Sequence, residues 1–272
     1  MRLGRWPGRA VRSASVLVGR WGALVACPAV AQPAAAACDA QGVAAVAAIA
    51  TSGVVGAAAR AVSVDRVVAQ TCKPWPYDPA IRLAVIAFAG DAAVAAGERD
   101  FELRVAMLDT ASGNVLAFYA QAMAEDACFE LDAHSLRLDT ARYDLSKGVR
   151  AIGVVVHSVA RGPSCPEGRS NDALTLLVRD GRTLRPVLQN DLSHWSLLKG
   201  EVCSLAAGEV ISEQANWSLA MSDNAHAGYA DIVLSAKVVT TSSEVAADRT
   251  TEQTRREREL TRYNGQRYLP VA

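Results

Sequence analysis

Six cysteines, at 27, 38, 72, 128, 165 and 203, and four histidines, at 134, 157, 194 and 226, have the widest chemical range in this 272-residue chain. No two cysteines form a C-x-x-C, so thioredoxin-like exchange and zinc-ribbon ligation find no support. The histidines show no H-E-x-x-H and no pair at ligand spacing on one element. Ser193-His194-Trp195 sets a serine beside a histidine, but a nucleophile and its base must meet across space rather than along the chain. G-x-S-x-G, P-loop and G-x-G-x-x-G patterns are absent. The 28 Asp and Glu residues leave room for paired-carboxylate chemistry of the glycosidase kind, and their spacing selects no two of them. Catalytic residues stay unassigned, and neither a cofactor nor a metal is implied.

The N-terminus sets the redox setting. Arg2, Arg5, Arg9, Arg12 and Arg20 are the only charges before Asp39, and an apolar stretch then ends in Ala29-Val30-Ala31. A basic segment, a short hydrophobic segment and a small-residue cleavage site describe a secretory signal over residues 1–31. Leu24-Val25-Ala26-Cys27 resembles the lipobox of bacterial lipoproteins, which would make Cys27 a lipidation site and the chain a lipid-anchored one. Either processing places the mature protein outside the cytoplasm, in the periplasm, at the outer envelope or secreted. Oxidising compartments favour disulfides, and the five cysteines after Cys27 permit several pairings with one thiol left over. Cys165 and Cys203 are the expected bridge. Cys165 lies in the breaker-rich Gly162-Pro163-Ser164-Cys165-Pro166, and a hairpin between the two would return the chain toward its start.

Two stretches resemble known repeat loops. Leu108-Asp109-Thr110-Ala111-Ser112-Gly113-Asn114-Val115 is similar to the L-D-x-x-[TS]-G-x-V turn of quinoprotein-type β-propellers. It occurs once, whereas propeller blades repeat every ~40–50 residues, so it reads as a hairpin turn and carries no quinone site. Its physical content is that Asp109 bonds backbone N–H groups ahead of it and Gly113 takes a positive φ. The run from Asp223 through His226 and Gly228 to Asp231 resembles the calcium loop of integrin-type FG-GAP repeats. Ala225 and Ala227 stand where two oxygen ligands belong, and calcium takes about six to eight oxygens. This run therefore reads as a turn.

The elements that position these residues are strands. Phe101, Leu103, Val105 and Met107 alternate with Glu102, Arg104, Ala106 and Leu108. A Gly- and Asn-bearing loop follows, and Val115-Leu116-Ala117-Phe118-Tyr119 completes a hairpin. Residues 81–88 and 149–159 are apolar on both faces and read as central strands. Residues 208–221 are a weaker strand candidate. Residues 229–240 read as a strand with Ile232, Leu234, Ala236 and Val238 inward and Asp231, Ser235 and Lys237 solvated. Asp180-Gly181 predicts a two-residue type I′ turn, with Pro186 on an edge or ending the pairing. Residues 139–144 read as a loop. Residues 248–259 are a charged edge strand or a solvated helix. Asn264-Gly265 predicts a tight hairpin that sets Arg262 opposite Arg267.

Residues 32–71 differ in composition. The uncharged run 42–59 is long enough to cross a bilayer, but alanine is a weak hydrophobe and Gly53 and Gly56 weaken a helix. The segment reads as a loosely helical or partly disordered Ala-rich leader. Three prolines at 74, 76 and 79 mark the boundary, so the organisation is signal 1–31, leader 32–71 and antiparallel β domain 72–272. The fold class is all-β, a mainly antiparallel sandwich or an irregular propeller-like meander.

Loss of the five signal arginines leaves 23 Lys and Arg against 28 Asp and Glu, a formal charge of −5. A mildly acidic chain without a basic cluster argues against nucleic acid as a partner. The reading is an exported binding, scaffold or inhibitor-like module, its partner a protein or envelope component rather than a small molecule. The enzyme alternative is an extracytoplasmic hydrolase with carboxylates converging from separate loops. A pocket holding two carboxylates of raised pKa would favour the enzyme; an unpaired edge strand or apolar patch would favour the binder. Trp75, Tyr77 and Trp195 are candidate rim residues for either.

Overall fold

The computed structural model describes residues 36–50, 61–90, 99–203, 208–244 and 248–271. The signal segment 1–31, Cys27 included, lies outside them. Alternating residues build three successive antiparallel meanders. The first holds β1 (Val67–Pro74), β2 (Ile81–Ala89), β3 (Asp100–Asp109) and β4 (Val115–Ala124). The second holds β5 (Leu136–Ser146), β6 (Val149–His157), β7 (Gly168–Asp180) and β8 (Thr183–Lys199). The third holds β9 (Glu209–His226), β10 (Tyr229–Glu244), β11 (Arg249–Tyr263) and β12 (Tyr268–Pro270).

All twelve described strands belong to one sheet, and β8 is its junction. It runs antiparallel to β7, pairs with β9 through Ser193 to Lys199, and meets β4 in parallel at Phe118 and Thr183. Residues 184–192 of β8 pair with β7 alone, so Pro186, which has no N–H to donate, sits at a local edge beside a register shift. The all-β, mainly antiparallel fold is as the alternation predicts.

Strand faces then stack the meanders. Leu83, Val85, Leu103 and Val105 pack against Leu138, Ile152, Val154 and Leu177 of the second meander. The opposite face of that meander, with Tyr143, Val155, Leu174 and Leu176, packs on Ile232, Leu234, Tyr263 and Tyr268 of the third. A strand covered on both faces has to be apolar at both parities, which is why β6 shows no solvated side. Each large aliphatic side chain removed from water here contributes about 1.5–3 kcal/mol.

The outer face of the first meander is covered by α1 (Ala40–Ala47), whose Val43, Val46 and Ala47 meet Ala84, Ile86, Phe88 and Leu108. Asp39 caps the helix by accepting from the Gly42 N–H at 2.7 Å. A disulfide from Cys38 to Cys72 ties the helix start to β1, with Cα atoms 4.9 Å apart. The helix expected as one form of the Ala-rich leader is thus present at residues 40–47 and packed against the sheet, and β1 runs across the expected boundary at residue 72. The proline cluster ends an edge strand; it does not separate two bodies. No described helix is long and apolar enough to cross a membrane.

Other local expectations shift. The turn after β7 uses Gly181 and Arg182, with Asp180 opposite Thr183. Gly181 at φ 59° occupies the first central position, where a type II′ turn needs it. Residues 139–144 continue β5, with an irregular register between Asp139 and Tyr143, because Tyr143 is drawn into the core beside Leu145. The Asn264-Gly265 hairpin has a four-residue loop in which Asn264 Oδ1 accepts from the Gln266 and Arg267 N–H groups at 2.9 Å each. Arg262 thus faces Leu269, not Arg267. Residues 249–259 form an edge strand within β11, not a helix.

Candidate functional site

Stacking two pleated surfaces leaves space where facing side chains are short or splay apart. Among the described residues, two such openings lie between the first and second meanders, and the fully buried Leu177 borders both.

The first cavity, of about 340 Å³, is walled by Leu103 and Val105 of β3, Tyr119 and Met123 of β4, Val154 and Val156 of β6 and Thr175 of β7. Its rim carries Gln121, Gln189, Asn190 and Asp191. The Tyr119 hydroxyl donates to Gln121 Oε1 at 3.0 Å, and burial pushes the Tyr119 phenol above its ordinary value. The tyrosine therefore stays neutral and keeps its proton to donate. The arrangement is an apolar slot with hydrogen-bonding amides, a hydroxyl and one exposed carboxylate at its mouth, the usual composition of a ligand pocket.

The second cavity, of about 410 Å³, is bordered by Trp75, Tyr77, Ile81, Met107, Asp144, Arg150, Arg179 and Leu184. Trp75 and Tyr77 meet edge to face with centroids 6.1 Å apart. The Arg150 guanidinium lies 3.5 Å from the Tyr77 ring centroid and pairs with Asp144. Hydrogen bonding from Arg150 holds the Asp144 carboxyl below the usual aspartate range. A general acid needs the opposite shift.

The other residues singled out in the sequence are scattered. Trp195 lies far along β8, opposite Arg169 and Gln214, and borders neither cavity. Ser193 and His194 are successive strand residues and point to opposite faces. His157 Nδ1 lies 3.1 Å from Asp172 Oδ1. Cys165 and Cys203 are bonded to each other, with Cα atoms 5.5 Å apart, and Cys128 is a free, exposed thiol.

The calcium-like loop is the β9–β10 hairpin, with Ala227 at φ 47° and Gly228 at φ 88°. Asp231 is fully buried, against the solvated position expected for it. It lies 2.7 Å from His226 Nδ1 and 3.7 Å from Arg262 Nε. The reason is tertiary: β12 brings Tyr268 over this corner, where its hydroxyl donates to the Ala230 carbonyl at 2.7 Å. Among the described residues, no hydroxyl or thiol hydrogen-bonds His226. Among the described residues, no group of three or more His, Cys, Asp or Glu is placed to hold a metal ion.

Sequence reasoning singled out Trp75 and Tyr77 but missed Tyr119, Gln121, Gln189, Asn190 and Asp191. The only available signal was that β4 and β8 carry amide residues amid apolar ones; their convergence depends on strands about 70 residues apart. Comparison of the chain with protein-family models, curated proteins and solved structures finds no match.

Proposed function

We propose that this is an exported binding protein whose first interlayer cavity takes the apolar portion of an amphipathic envelope component. The observation that carries this reading is the cavity itself: an aliphatic and aromatic slot of about 340 Å³, within the range of ligand pockets. Apart from the Thr175 hydroxyl on the wall its polar groups lie at the rim, so an apolar chain would enter and a hydrogen-bonding head would remain at Gln121 and Gln189. The two disulfides support an oxidising, extracytoplasmic setting, in keeping with the N-terminal signal pattern. The hydrolase alternative draws no support from Asp144 in the second cavity, whose carboxyl Arg150 holds below the usual range.

The test is displacement of an environment-sensitive fluorescent fatty acid, with Thr175→Phe as the blocking variant. Thr175 is half-buried on the cavity wall, and a phenyl group there would fill the slot. Saturable binding to the parent protein and a loss of at least ~10-fold in Thr175→Phe, at unchanged circular dichroism, is the expected result; each 1.4 kcal/mol of lost contact is about one factor of ten. Equal binding by both proteins would overturn the assignment.

A further inference from the structure

The distal parts of β8, β9, β10 and β11 pair with one another but contribute no residue to the hydrophobic clusters. The outermost strand of the four is β11. β11 pairs with β10 from Arg249 to Thr261 without a register shift, yet β12 covers its other side only at Thr261 to Tyr263. Among the described residues, 249–259 thus form a long unpaired edge with no proline and no bulge. It is guarded by charges, but these are of both signs (Arg249, Glu252, Arg256, Arg258 and Glu259 among them), so they repel an arbitrary strand and admit one of complementary pattern.

The polarity of that edge is fixed by one bond: the Leu260 carbonyl accepts from Val271 N–H at 2.9 Å, so Leu260 points its backbone away from β10. By alternation Thr250, Glu252, Thr254, Arg256 and Arg258 do the same. Only a partner strand that sets these residues opposite one another can bond them. For a second copy in antiparallel, two-fold pairing, this places the axis on a residue and not between two residues, and the side-chain charges then choose among the residues.

We infer that β11 pairs with β11 of a second copy about a two-fold axis at Thr254, making one sheet continuous across a dimer. Centred there, Glu252 falls opposite Arg256 of the other copy and Arg249 opposite Glu259, each pair twice by symmetry. No like charges face each other. Moving the centre to Arg255 or Arg256 sets an arginine against its own copy, and moving it to Glu252 does the same for glutamate. A centre at Gln253 avoids like pairs but sets Glu252 and Arg256 against threonines and leaves the end of the edge unused. Thr254 is also the midpoint of the free edge, so the whole of 249–259 is used and neither copy meets the other's β12. Within one chain Arg256 lies beside Lys237 on β10, a like-charge neighbour, and Glu252 of the second copy supplies the missing negative charge. About ten main-chain hydrogen bonds form in this register.

Sedimentation velocity over a protein concentration series tests this, with three variants on exposed positions. The parent protein is expected to show a monomer–dimer equilibrium. Glu252→Arg sets an arginine against Arg256 at two symmetric places and is expected to raise the dissociation constant by ~10-fold or more. The double change Glu252→Arg with Arg256→Glu reverses both charges and is expected to restore dimerisation. Thr254→Pro removes an N–H that β10 does not use, so the fold persists by circular dichroism while the dimer is lost. A parent protein that stays monomeric, open-ended assemblies, a dimer indifferent to Glu252→Arg, or failure of the double change to rescue would each overturn the inference.

Discussion

Arg104 offers the sharpest test of how the first meander is held together. It lies in the middle of β3 and is fully buried. Its Nη1 donates to the carbonyls of Val46, Ala47 and Ile49 at 3.0, 2.9 and 2.9 Å. Nε donates to Glu102 Oε1 at 2.9 Å, and the guanidinium lies 5.5 Å from the Phe88 ring centroid. Val46 and Ala47 belong to the last turn of α1, where carbonyls lack intrahelical partners, so one cation caps the helix C-terminus and pins it to the sheet. Arg104→Met keeps the aliphatic stem and removes every donor. Hydrogen bonds to a charged group contribute about 1.5–3 kcal/mol each, but three bonds sharing one nitrogen do not add. Relief of guanidinium desolvation offsets part of the loss, whereas orphaning the carbonyls and Glu102 adds to it. The breaking of buried ion pairs, about 3–5 kcal/mol, is the best guide. Against a total stability of about 5–15 kcal/mol, the melting temperature should fall by roughly 10–15 °C for a chain of this size. Urea unfolding gives the free energy, and hydrogen exchange should show the α1 amides opening before those of β6. A loss below ~1 kcal/mol, with α1 still protected, would refute the claim that Arg104 anchors the helix.

Glu125 supplies a pH dependence. Burial pushes its carboxyl up, but the Arg99 guanidinium at 2.7 Å and the Leu131 N–H at 2.9 Å more than reverse this, and the group ends below its ordinary 4.5. A depressed carboxylate stabilises the fold above its unfolded pKa, and that contribution is lost as pH falls through the folded value. The stability gap between the parent protein and Glu125→Gln should be widest above about pH 5 and shrink steadily on acidification; a pH-independent gap in urea titrations would contradict it. Non-reducing peptide mapping should recover Cys38–Cys72 and Cys165–Cys203 with Cys128 alkylated. Paired Cys-to-Ser replacement at either bridge should cost about 4 kcal/mol in the chain-entropy account. A peptide joining Cys128 to any partner would be inconsistent with the structure.

The sequence by itself determined the elements whose pattern is local. Alternation around Asp109 to Asn114 specified the β3–β4 hairpin, and Gly113 takes the expected positive φ of 73° while Asp109 Oδ1 accepts from the Ser112 N–H at 2.7 Å. The two-sided apolar run of β6 marked a strand that other layers cover. What a periodic pattern cannot state is what lies against each face. Glu102 and Arg104 read as the polar side of a strand, yet α1, from an alanine-rich stretch of low helical amphipathicity, covers Arg104 completely and turns its charge into a helix cap. Asp231 read as solvated for the same reason and is enclosed by a C-terminal strand that begins at Tyr268. The cavity needs Leu103, Val154 and Gln189 together, from three strands whose mutual approach follows from the stacking of meanders and the junction at β8. Only the tertiary structure decided these, because burial of a polar residue and convergence of a pocket depend on long-range contacts, whereas strand alternation and turn geometry are properties of neighbouring residues.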